Sequence, residues 1–166
     1  MTAHTAHRRP GPMSAARWLR VPGVICGTAL CVAAGLLVAA DWVNARAEDS
    51  LATGEPGSLD GLRLARRLNP FQAEYDDDLA AAHEASPGWG VHPADAYTAA
   101  LSTRERRIER FGGEARHHLL AAEDAARARP VNRMSAVAHP LAAARRLDPK
   151  NPGLATAIAA IEAQIR

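Results

Sequence analysis

Three consecutive carboxylates, Asp76-Asp77-Asp78, form the densest group of potential cation ligands in the chain. A calcium loop needs oxygens that converge and a glycine at its sharp turn. No glycine follows at that position, and neighbouring residues on a helix point in different directions. The three aspartates are expected to be a solvated helix face. His117-His118 are adjacent, so a helix cannot aim both at one metal. His83-Glu84 opens like a zinc-protease helix, in which two histidines four residues apart hold the ion, but Pro87 stands where the second histidine belongs. The sequence has no phosphate-binding glycine loop, nucleophile elbow or thiolate cluster. No catalytic residue, cofactor or metal is expected, and the chain does not read as an enzyme. Arg104 to Arg110, with Glu105 and Glu109 interspersed, reads as an exposed helix face laced by pairs such as Arg106–Glu109, with contact to anionic lipid or glycan as the alternative. Trp89, in a Gly/Pro loop, is expected to tuck into the domain edge.

The elements that would carry these residues begin with an apolar run. Val21 to Ala40 holds 20 residues without a charge. A helix of that length spans roughly 30 Å, the thickness of a bilayer's hydrocarbon core. Trp18 and Trp42 bracket it at the depth where amphipathic rings prefer the interface. Arg8, Arg9, Arg17 and Arg20 precede it with no acid among residues 1–20, and Asp41 follows. Positive charge favours the cytoplasmic side. The expected topology is a single-pass plasma-membrane protein: a cytoplasmic tail 1–20, a transmembrane anchor 21–43 with Trp18, Arg20 and Trp42 at the interfaces, a linker 44–58 and an extracytoplasmic domain 59–166. A signal peptide cut at Ala45-Arg46-Ala47 or Val38-Ala39-Ala40 is the competing reading, and the length of the run argues against it. Cys26 and Cys31 lie in the run, about 140° apart on a helix, and cannot pair with each other there. A net charge of +2 gives no drive toward nucleic acid.

Beyond Thr53–Ser58, a turn-forming stretch, the periods are helical and the fold class is all-α. Ser58 is placed to cap a helix bearing Leu59, Leu62, Ala65 and Leu68, ended by Asn69-Pro70. Phe71, Tyr75, Leu79 and Ala82 form a second stripe. SPGWGVHP, 86–93, is a loop. Tyr97, Leu101, Ile108 and Phe111 mark a third helix closed by Gly112-Gly113. Ala115, Leu119, Ala122 and Ala126 mark a fourth, closed near Pro130. Val137, Leu141, Ala144 and Leu147 mark a fifth, which Pro140 starts or kinks, and Leu154, Ile158, Ile161 and Ile165 a sixth. Leu, Ile, Val and Phe make up only 20 of the 113 residues in 54–166. A core that thin implies marginal independent stability.

ARRLNP at 65–70 returns as ARRLDP at 144–149, with a weaker echo, AARARP, ending at Pro130. Recurring helix ends suggest stacked hairpins. Leu62-Ala65-Pro70 and Leu141-Ala144-Pro149 resemble the late pattern of tetratricopeptide repeats, and Ala73-Glu74 with Leu79-Ala80 resembles the opening of the next repeat. The bulky residue that pattern places at position 76 is replaced by Asp76, with Tyr75 one position early. LNPFQAEYDDDLA also resembles the tetratricopeptide-like tails of bacterial O-antigen ligase-type membrane proteins. Their multi-span catalytic part is not in this sequence, so their activity does not carry over.

The resemblance implies irregular helical hairpins that bind a protein partner in the bacterial cell envelope. The expected function is a membrane-anchored adaptor. The alternatives are an accessory subunit of envelope glycan ligation or polymerisation, and a secreted binding protein after signal cleavage. In a tetratricopeptide-like unit starting at Ala73, Glu74, Asp77 and Glu84 fall on positions that line the concave groove. They are the expected partner-binding residues, an acidic strip for a basic segment. The anchor's own partner is membrane lipid.

Overall fold

The computed structural model describes residues 15–128 and 133–165, with side chains from residue 25 in the first stretch and from residue 134 in the second. Among them there are seven α-helices and no strand: α1 Ala15–Ala52, α2 Ser58–Leu68, α3 Glu74–Ala85, α4 Pro93–Phe111, α5 Ala115–Ala128, α6 Arg133–Leu147 and α7 Pro152–Ile165, with a short 3-10 turn at Ser86–Trp89.

The apolar run and the first repeat share one helix. α1 is long and apolar enough within Ile25–Ala52 to cross a membrane, and Ile25, Leu30, Val32 and Val38 are exposed along it. It does not end at residue 43. Good helix formers continue it to Ala52, so most of the expected linker is helix and the chain reverses only at 53–57, where Gly54 adopts φ +77°. α2 then returns antiparallel along α1. Ala47 packs with Leu62, and Ala40 with Ala65 and Tyr75. A Cβ on Gly61 would meet that of Ala47 at 2.8 Å, so glycine lets the two backbones approach. Ser58 starts α2 but makes no capping bond; its side chain is buried. Phe71 falls before α3, where Asn69-Pro70 holds the chain out of helix, and is 81% exposed, whereas Tyr75, Leu79 and Ala82 are buried as their spacing predicts.

α3–α4 and α5–α6 form further hairpins, and α7 packs on both α5 and α6. Gly112 closes α4 at φ +77°. Pro140 stands inside α6 rather than at its start. The closure near Pro130 lies outside the described residues. ARRLNP ends α2 and ARRLDP ends α6, the second helices of the first and third hairpins. α4, the second helix of the middle hairpin, ends instead in Phe111-Gly112. The largest apolar cluster belongs to the last three helices: Val137, Leu141, Leu154, Ile158 and Ile161 close over a floor of alanines on α5.

Candidate functional site

Charged residues organise the middle of the stack. Arg104, on α4, is 6% exposed. Its Nε donates to Asp124 Oδ2 of α5 at 2.8 Å, and its Nη2 donates to Glu84 of α3. One turn along α4, Arg107 donates to Asp77 of α3 at 3.3 Å, and His117 of α5 brings its Nε2 within 3.8 Å of the same carboxylate. Two layers of charge therefore join α3, α4 and α5. Burial drives the Asp124 carboxyl up to about 7, against the pull of Arg104. Arg104 is desolvated too, but its two carboxylate partners outweigh that and hold it firmly charged. Burial, with Arg107 beside it, lowers His117, which accepts from the Glu114 backbone N–H at Nδ1 and so remains neutral at physiological pH.

This corrects two expectations. The run from Arg104 is not wholly an exposed face, because α5 packs against α4 there and supplies Asp124. Asp76 is not solvated either: it is 1% exposed and meets Arg66 of α2 at 2.6 Å, with burial raising its carboxyl despite that partner. Position 76 is thus occupied by a neutralised carboxylate where the repeat pattern carries bulk.

Of the expected partner-binding residues, Glu74 is exposed and accepts from Gln72 at 2.9 Å. Asp77 and Glu84 are half-buried and engaged by Arg107 and Arg104. The three do not stand together as an open acidic strip, because α4 turns arginines toward two of them. Trp42 is 64% exposed, with the Arg46 guanidinium 5.8 Å from its ring centroid. The side chains of Trp18 and Arg20 lie outside the described residues. No group of three His, Cys, Asp or Glu converges as a metal site among the described residues.

Two clefts open at the two ends of α5. One, of about 650 Å³, lies where the start of α5 faces the α6–α7 turn. Leu119, Leu147 and Leu154 line it, with Glu114, Arg116, Asp148 and Asn151 among its polar residues. Asn151 Nδ2 donates to Asp148 Oδ2 at 2.8 Å, and its Oδ1 accepts the Leu154 N–H at 3.1 Å, fixing that edge and the start of α7. Leu147, placed by its spacing on a buried stripe, is 54% exposed. The other cleft, of about 610 Å³, has Tyr97 under the Arg127 guanidinium at 5.4 Å, with His92 and Pro93 beside them. Sequence periodicity alone misses both clefts. The one signal for the first was Leu147 in the helix-closing ARRLDP.

No protein-family model matches the chain, and no curated protein does. A solved structure is similar: PcrH in complex with the chaperone-binding region of PopB, with a TM-score of 0.55 at 16% sequence identity, covering 76% of this chain and 94% of that one. The likeness shows a helical-repeat fold of tetratricopeptide type.

Proposed function

We propose that the chain is a membrane-anchored tetratricopeptide-like adaptor of the bacterial cell envelope that holds a segment of a protein partner. The observation that carries this reading is the cleft of Leu119, Leu147 and Leu154, an apolar floor with a polar edge, the composition of a protein-binding patch. The PcrH structure supports it, since a chain of this fold there holds a region of PopB. The exposed apolar length of α1 supports the anchor, and the arginines before it support a cytoplasmic N-terminus with the hairpins outside.

The test is Leu147→Asp in the tagged full chain, extracted in mild detergent. Leu147 is exposed, so the change leaves helicity unchanged by circular dichroism. Recovery of the co-purifying partner should fall about tenfold or more, the effect of losing one anchoring side chain. Undiminished recovery would overturn the assignment of this cleft. A reporter fused after Arg166 should be active only outside the cytoplasm; activity inside would overturn the topology.

A further inference from the structure

The antiparallel return of α2 along α1 decides which part of the stack faces the membrane. Ala65 lies against Ala40, and the Tyr75 hydroxyl donates to Asp41. The end of α2 and the start of α3 are therefore level with the point where α1's uncharged run ends. The C-terminus of α4 is tied to the same level, because Arg110 Nη2 donates to the Pro70 carbonyl at 2.8 Å. Arg63, Arg66, Arg67 and Arg110 line a pocket of about 340 Å³ with Pro70. Four guanidinium groups there face two paired carboxylates, Asp76 on Arg66 and Asp60 on Arg63. Phe71, 81% exposed, sits beside this pocket in sequence, and Phe111 lies under the Arg110 guanidinium at 5.2 Å. Glu74 is the exposed carboxylate of the adjoining helix start.

Four guanidinium groups gathered in one pocket beside exposed aromatic rings, at one end of the stack and at the depth of the anchor's exit, have the chemistry of a lipid-headgroup surface. We infer that this end of the domain sits on the outer face of the same membrane, with the arginine pocket holding the phosphate of an anionic lipid and Phe71 reaching the interface. The inference rests on the anchored reading above. It gives the turns at 69–73 and 112–114 a shared surface, which borders the protein-binding cleft at Gly113 and Glu114.

The experiment is hydrogen exchange of the full chain in nanodiscs of phosphatidylcholine, with and without phosphatidylglycerol. Docking predicts that backbone amides at 66–74 and 107–114 slow only in the anionic discs. High salt should reverse the slowing. Arg63→Gln with Arg67→Gln, two exposed positions, should weaken the docked state about fivefold per charge removed. Phe71→Ser, which touches no ion pair, should weaken it independently. Equal exchange in neutral and anionic discs would overturn the docking while leaving the anchor standing. Slowing by inorganic phosphate in neutral discs would replace the lipid with a free anion and overturn it as well. Failure of the chain to enter discs at all would remove the anchor, and the docking with it.

Discussion

The two sides of α5 are packed by opposite means. Toward α6 and α7 it meets Val137, Leu141, Leu154, Ile158 and Ile161, branched side chains seated on Ala122, Ala125 and Ala126. Toward α3 and α4 it meets Leu101 and a chain of charge, Glu84–Arg104–Asp124, with Asp77, Arg107 and the neutral His117 beside it. Apolar contact is non-directional and scales with area. A buried guanidinium accepts only partners placed at its N–H groups. The last three helices are thus held by volume, and the middle three by register. A sequence poor in large apolar residues can still fix a helix–helix contact in this way, at the cost of desolvating its charges.

That contrast can be broken most directly at Arg104. Arg104→Ala leaves Asp124 buried without its partner and should cost about 3–5 kcal/mol, measured by urea unfolding of the full chain in detergent. Replacing the triad together, Glu84→Leu, Arg104→Met and Asp124→Leu, should recover most of that loss. If the triple change is as damaging as the single one, the seam's stability lies in its ions rather than in avoiding an orphan charge.

On the apolar side, Ile158→Ala should cost about 2–5 kcal/mol, toward the lower part of that range because alanine neighbours can close in. A double variant with Arg104→Ala tests whether the two sides are independent. They contact α5 on opposite faces, so the losses should add to within about 0.5 kcal/mol.

The smallest effect is in pH. Asp124 titrates at about 7 in the fold against an ordinary aspartate value of 3.8. The folded state therefore holds this proton more tightly than the unfolded chain. Its contribution to stability is full below about 4 and is lost as pH rises through about 7. The three histidines lowered by burial, His83, His117 and His118, act oppositely, losing stability as pH falls through and below their ordinary value of 6.5. The difference between wild-type and Asp124→Asn melting curves isolates the aspartate. Relative to the variant, wild type should lose stability from pH 4 to 7. A difference that is flat with pH would mean Arg104 keeps Asp124 ionised throughout.

The helices were largely legible in the residues, and the partners of the charges were not. Ser58–Leu68 and the stripe Leu154, Ile158, Ile161 follow from period and proline placement, which are local. ARRLNP and ARRLDP mark corresponding helices of two hairpins, while AARARP, whose first four residues lie on α5, falls on a first helix and only confuses the spacing. Asp76 and Arg104 look like solvated helix charges because the residues that neutralise them lie 10 to 20 positions away on other helices. Phe71 matched a stripe by spacing alone, and the proline before it delays the helix past it. Helix α1 runs on into the expected linker for a related reason: polar residues after Trp42 mark the end of an apolar run, not the end of a helix.

Because α1 passes from the apolar run into the first hairpin without a joint, the stack is keyed to it like a cam on a shaft. Ala40, Ala47 and Gly61 fix the azimuth as well as the height of the repeats. One residue inserted near Gly35 would turn the whole assembly by about 100° about the helix axis and raise it by about 1.5 Å. A load applied at the Leu147 cleft would pass into α1 as tilt of a rigid lever, with no swivel to absorb it.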